Sequence, residues 1–273
     1  MRRADTGVTT GPDRGEGRHV EENVDLSHRK VLVTGGGSGL GRVLAVAFAG
    51  TGADVHICGR RREPLEELAA AHGNITAHQL DVTDENGTEA MFDAIGAVEI
   101  VIANAGIADS APLHRTTSEM WHRMMAVNLT GCFLTFRAGL QRLREAKAEW
   151  GRLVAISSTT GLSGHKYASA YSAAKHGVNG LVRSSAAELA GSGITANALC
   201  PGYLDTEMTD RSIDNIIART GKSRQEAIDV LAGMSPLGRL IAPQEVSRAA
   251  LWLCGPGSDA VNGQTIAING GER

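Results

Sequence analysis

The chain has 273 residues, 42% of them hydrophobic and 21% charged, which suits one large α/β domain with a sizeable core. A net charge of −3 offers no basic excess to a nucleic-acid backbone, and no apolar run reaches the ~18–20 residues that span a bilayer, so nucleic-acid and membrane roles are excluded. Cys58, Cys132, Cys200 and Cys254 stand far apart, with no CxxC and no histidine pattern, which predicts reduced, mostly buried thiols of a cytoplasmic protein rather than a zinc site or disulfide frame.

Residues 1–28 are polar, glycine-rich and aperiodic and are expected to form a disordered tail; early arginines without an apolar stretch behind them make no secretory signal. From Lys30 onward, short β-branched runs alternate with longer helical stretches. Strands are expected at 31–33, 55–57, 75–80, 98–103, 153–156 and 194–199. Helices are expected at 40–49, 64–71, 84–94, 118–146 and 169–189. Pro64 is expected at a first helical position, and Thr116 with Glu119 as a capping box before the long helix. Strands apolar on both faces and separated by helices describe a parallel sheet covered on both sides. The result is a single α/β domain over 29–273, a doubly wound parallel sheet flanked by helices on both faces, with a polar-amphipathic insertion over 207–236.

The first strand runs into Thr34-Gly35-Gly36-Gly37-Ser38-Gly39-Leu40-Gly41, which opens directly into a helix. Glycines allow a tight turn and let a pyrophosphate approach backbone N–H groups at a helix N-terminus, where the dipole favours an anion. Alone, such a turn is also compatible with a βα connection that binds nothing; its place after the first strand favours a dinucleotide. Tyr171 and Lys175 are four residues apart and share a helix face. A lysine ammonium beside a phenol favours phenolate, suiting the pair to exchange a proton with an alcohol or carbonyl oxygen. None of the nine histidines pairs at i, i+4 with another, so no metal site is expected.

At the TGxxxGxG spacing the chain resembles the short-chain dehydrogenase/reductase family, and the likeness recurs in order. Asp81-Val82 follow the third strand and Asn104-Ala105-Gly106 the fourth. Asn128 lies in the long helix, Ser158 ends the fifth strand thirteen residues before Tyr171, and Tyr171-Ser172-Ala173-Ala174-Lys175 is YxxxK. Pro201-Gly202 through Leu204 to Thr206 match the PGxxxT segment. The resemblance implies a Rossmann-like fold and an oxidoreductase that moves hydride between a nicotinamide nucleotide and a ketone or secondary alcohol. It assigns catalysis to Asn128, Ser158, Tyr171 and Lys175. The nucleotide would be held by Gly35, Ser38, Gly39, Leu40, Gly41, Arg60, Asp81, Val82, Asn104, Ala105, Gly106, Tyr171, Lys175, Pro201, Gly202, Leu204 and Thr206. Ser158 would bond the substrate oxygen, Lys175 the nicotinamide ribose, and Asn128 would anchor a water relay. Strand alternation points Ser157 away from Ser158, and Tyr167 is expected to line the substrate pocket or pack.

NAD-specific members end the second strand with an acidic residue. Here Gly59 stands there, followed by Arg60-Arg61-Arg62. NADP(H) is therefore favoured, with Arg60 clamping the 2′-phosphate, and NAD(H) stays open because Ser38 occupies the family's second basic position. The alternative for the arginines is a surface run paired with Glu66 or Glu67. The insertion is similar to the active-site lid of 3-oxoacyl, polyketide and 3-hydroxybutyrate reductases, which implies a 3-oxoacyl-CoA or 3-hydroxyacyl-CoA type of substrate. Thr160 and Ala168 replace the carboxylate-binding pair of hydroxybutyrate dehydrogenases. Glu149 and Ala187 replace arginines that dock a carrier protein, which argues against that partner. A NAD-dependent dehydrogenase of small or cyclic secondary alcohols is the alternative enzyme. A catalytically inactive nucleotide-sensing regulator and an interaction scaffold are the alternatives outside catalysis. Apolar segments at 249–253 and 266–268 fit the homotetramer common in the family.

Overall fold

Seven strands pair in parallel in a computed structural model that describes residues 24–272; most of the expected tail, 1–23, lies outside the described residues. The strands are β1 (Lys30–Thr34), β2 (Asp54–Gly59), β3 (Ile75–Gln79), β4 (Ile100–Ala103), β5 (Gly151–Ile156), β6 (Ile194–Pro201) and β7 (Thr265–Ile268), in the order β3-β2-β1-β4-β5-β6-β7. Strands β4, β5 and β6 are buried along their whole length, as expected of segments covered on both faces.

Alternation sends each strand's side chains into two cores. Val31, Val33, Val55, Ile57, Ile100 and Ile102 meet α1 (Gly39–Ala49), α2 (Arg62–Ala71) and α9 (Pro243–Cys254). Leu32, Cys58, Val101, Ala103, Leu153 and Ala155 meet α3 (Glu85–Ile95), α5 (Gly131–Glu145) and α6 (Ser169–Glu188). All four cysteines are buried. Among the described residues no helix is long and apolar enough to cross a membrane.

Three local expectations are corrected. Pro64 is the third residue of α2, not the first. The cap before α4 (Ser118–Met125) is Thr117, whose hydroxyl accepts from Met120 N–H at 3.1 Å, and not Thr116. The expected long helix is broken: α4 passes into a π-helical turn, Ala126–Thr130, before α5 begins.

Beneath the sheet, at the start of β5, the Arg152 side chain is 1% exposed. Its guanidinium donates to the carbonyls of Leu253, Gly151 and Gly193 and to Asp259 at 2.5 Å. Trp150 is sandwiched between the guanidiniums of Arg29 and Arg152, at 4.1 and 4.3 Å from its ring centre, an arrangement in which the ring faces attract both cations.

The segment after β6 forms two helices, α7 (Glu207–Thr220) and α8 (Arg224–Ala232). A small separate core of Ile213, Ala227 and Leu231 joins them, with Tyr203 packed against it. Arg224 bonds Asp210 across the pair, and Gly221 ends α7 in the left-handed conformation.

Candidate active site

In this strand order the connections reverse direction between β1 and β4, which leaves a crevice at the carboxyl ends of the strands. The glycine turn lies on one side of it. Gly35 has φ +68°, and a Cβ on Gly41 would fall 2.1 Å from Gly35 O and 2.6 Å from Asn104 Nδ2. Only glycine fits there. Ser38 precedes α1 with extended backbone and makes no cap bond of its own, and the Leu40 side chain enters the core. Thr34, which the sequence reading left unassigned, ties the turn to the 104–106 segment. Its Oγ1 accepts from the N–H groups of Asn104 and Ala105 at 3.0 and 2.9 Å, and its carbonyl accepts from Asn104 Nδ2 at 2.8 Å. Free helix N–H groups behind a turn without side chains form a cradle that fits a pyrophosphate.

The arginines divide differently from expectation. Arg62 pairs with Glu66 at 2.6 Å, and Arg61 donates to Ser38 Oγ at 2.9 Å across the turn. Arg60 lines a cleft of about 710 Å³ together with Gln79, Asp81 and Met91. Asp81 Oδ1 holds the Thr83 N–H and hydroxyl at 3.0 and 2.8 Å, while the Val82 side chain packs into the core where α5 begins. Thr206 closes the other side: a Cβ on Gly39 would sit 3.8 Å from Thr206 Cβ. Leu204 pairs with Ile241 in an isolated bridge, and Gly202 N–H donates to Ile268 O at 3.1 Å, continuing from Pro201 at the end of β6.

The four expected catalytic residues converge beyond β4 and β5. Asn128 occupies the π-helical turn and is 1% exposed. Its amide donates to Ile107 O and Met124 O, both at 3.0 Å, and accepts from Ile107 N–H at 3.1 Å. Gly106 lies between Asn128 and Lys175, since a Cβ there would come 2.8 Å from Asn128 Oδ1 and 3.7 Å from Lys175 Nζ. Lys175 donates to Ile156 O at 2.7 Å, and its Nζ sits 5.6 Å from the centre of the Tyr171 ring. Ser157 turns back to Lys175 O at 3.3 Å, whereas Ser158 accepts from Thr160 N–H at 3.2 Å and bonds toward the Tyr171 phenol.

Burial dominates the electrostatics of the pair. It pushes Tyr171 up to about 12, with the Ser158 hydroxyl partly opposing it and Tyr203 adding to it. It pushes Lys175 down to about 8, opposed by the neighbouring thiols Cys132 and Cys200. For both groups removal from water is the largest influence on proton affinity. Tyr167 is over half exposed and holds φ +67°, with its carbonyl accepting from Ala111 N–H at 2.9 Å. Sequence reasoning also missed Tyr203, whose phenol is raised first by burial and then by the charge of Glu272. Among the described residues no group of three metal-ligating side chains occurs.

A family model described as short chain dehydrogenase matches residues 29–216. The chain is 35% identical to cis-4-hydroxycyclohexanecarboxylate dehydrogenase of Sinomonas cyclohexanicum over 90% of its own length and 97% of that protein. It is 31% identical to D-beta-hydroxybutyrate dehydrogenase of Rhizobium meliloti, covering 89% and 98%. A crystal structure of an actinorhodin polyketide ketoreductase variant with NADPH superposes with a TM-score of 0.84 at 33% identity, covering 90% of this chain and 98% of that one.

Proposed function

The chain belongs to the short-chain dehydrogenase family, and on that footing we propose how its residues share the work of an oxidoreductase acting on ketones and secondary alcohols. Tyr171 passes a proton to or from the substrate oxygen, Ser158 holds that oxygen, and Lys175 and Asn128 keep the proton path in register. A nicotinamide nucleotide supplies or accepts the hydride. Its pyrophosphate would lie on the turn of Gly35, Ser38, Gly39, Leu40 and Gly41, its adenosine end near Arg60, Asp81 and Val82, and its nicotinamide end among Asn104, Ala105, Gly106, Pro201, Gly202, Leu204 and Thr206. The single observation that carries this reading is the convergence of Asn128, Ser158, Tyr171 and Lys175 beside a glycine turn that is closed to a Cβ at Gly41.

NADP(H) is the preferred nucleotide, because Arg60 and Arg61, which have no carboxylate partner among the described residues, flank the adenosine end. The substrate is a ketone or secondary alcohol, either of a 3-oxoacyl-CoA or 3-hydroxyacyl-CoA type or a small cyclic alcohol. The identity to a cyclohexane-carboxylate dehydrogenase supports the second class. A carrier protein is not among the partners, since Glu149 and Ala187 leave its dock without arginines. Residues 207–236, as α7 and α8, serve as the lid of the domain 29–273. A cytoplasmic homotetramer is the assembly, a reading supported by the half-exposed Trp252 on α9 inside the apolar segment 249–253.

Tyr171→Phe tests the reading. NADPH oxidation across acetoacetyl-CoA, cyclic ketones and simple ketones should fall roughly 10²–10⁴-fold in kcat, with nucleotide affinity unchanged. Near-wild-type turnover refutes the role of Tyr171. Tight nucleotide binding with no turnover of any substrate by the wild type favours the regulator instead.

A further inference from the structure

Beyond β7 the chain returns to the mouth of the site. A Cβ on Gly270 would lie 2.4 Å from Leu237 Cγ, so the tail is pressed against the segment that follows α8. Glu272 then turns inward. Its carbonyl accepts from Asn269 Nδ2 at 2.8 Å, and its side chain is only 10% exposed. One carboxylate oxygen, Oε2, comes 3.2 Å from the position of a Cβ on Gly202. The other, Oε1, faces His165 Nε2 at 3.8 Å, and that nitrogen lies 3.3 Å from Ser163 Oγ. Gly202 leads from β6 into the lid, and Ser163 and His165 belong to the loop between Ser158 and Tyr171. A single carboxylate thus links the segment entering the lid to the loop between Ser158 and Tyr171.

A side chain of this kind is seldom buried without a purpose or a partner. Among the described residues, His165 is the ionisable partner within 4 Å. We propose that Glu272 is a specificity-determining residue of the substrate cleft, selecting neutral ketones and alcohols that carry a further hydroxyl and rejecting those with a carboxylate near the carbonyl. The inference rests on the reading that substrate sits against Ser158 and Tyr171. A carboxylate only accepts hydrogen bonds, so a substrate hydroxyl gains a partner, whereas an anion meets like charge where little water screens it.

Two ketones of matched size, 4-hydroxy-2-butanone and acetoacetate, differ in a terminal CH₂OH against a carboxylate. Ligand-observed NMR titration of each into the full chain, with and without NADP⁺, measures their affinities. The wild type should prefer the neutral ketone roughly tenfold or more, and Glu272→Gln should bring the two within about threefold. His165→Gln keeps the carboxylate and should keep the preference. Equal affinities in the wild type, an unchanged ratio in Glu272→Gln, equal loss of preference in both variants, or no binding of either ketone overturns the inference. NADPH oxidation with the same ketones reports separately on hydride transfer. Turnover without discrimination retains the oxidoreductase reading and removes this one, and discrimination without turnover does the reverse.

Discussion

Lys175→Met separates the electrostatic burden of the buried lysine from its packing. Burial holds the Lys175 ammonium down to about 8, against 10.5 in an unfolded chain. Between those values the unfolded state binds a proton that the folded state lacks, so this group's contribution to stability rises with pH. Below pH 8 both states are protonated and the whole burial penalty is present, on the order of 3 kcal/mol; above 10.5 it has vanished. From pH 7 to pH 10 the wild type should therefore regain about 2–3 kcal/mol from this residue. Buried thiols act in the opposite sense: Cys58, Cys132 and Cys254 are pushed up to about 12, so unfolding is favoured as pH passes their ordinary range near 9. They are common to both proteins and drop out of the difference. The variant also loses the bond to Ile156 O, an offset that does not follow the titration. Urea denaturation of both proteins at pH 7, 8.5 and 10 should show the wild type gaining on Lys175→Met by about 2–3 kcal/mol across the series. Parallel stability profiles would refute the reasoning.

Nucleotide choice should respond to Arg60→Ala and Arg61→Ala with a loss of NADPH affinity of about 1.5–3 kcal/mol for whichever arginine holds the 2′-phosphate, while NADH binding stays level. Fluorescence titration with both nucleotides checks this, and equal losses for NADH and NADPH would reduce the run to surface charge. Arg152→Met strips the donors from three carbonyls and leaves Asp259 without its partner. Stability measured by urea should drop by about 1–3 kcal/mol for each buried carbonyl left unpaired, whereas a total change under about 1 kcal/mol would mean that water replaces the guanidinium at no cost.

Whatever depends on short stretches of chain was legible in the residues. The glycine turn, the apolar strands and the YxxxK pair each act within a few positions, and the six strands and four of the five helices expected up to residue 199 recur with shifted ends, the remaining helix being divided by the π turn. What escaped depends on distance or on burial. Which arginine reaches Ser38 is fixed by where β2 ends and how the turn folds back, and Arg61 rather than Arg60 makes that bond. The lysine beside Tyr171 was plain, but the depth of both groups was not, and depth governs their proton affinities. Glu272 reaches Gly202 and His165 only because β7 carries the tail back across the sheet edge, and no local pattern announces that. The π-helical turn adds only one residue and carries no glycine or proline to mark it, so the helix around Asn128 reads as continuous.

That turn also acts as a phase adjuster between two halves of one rod. Trp121 and Phe133 are twelve positions apart, which on an uninterrupted α-helix would aim them about 120° from one another. A π turn absorbs one extra residue, leaving eleven effective steps, or three turns, and so bringing both side chains to within about 20° of a common line. Each is indeed partly open to solvent. Shortening 126–130 by a single residue would remove the extra step and leave eleven ordinary helical steps between Trp121 and Phe133, so the outward aromatic stripe would keep its line while the inward Asn128 amide lost the turn that holds it.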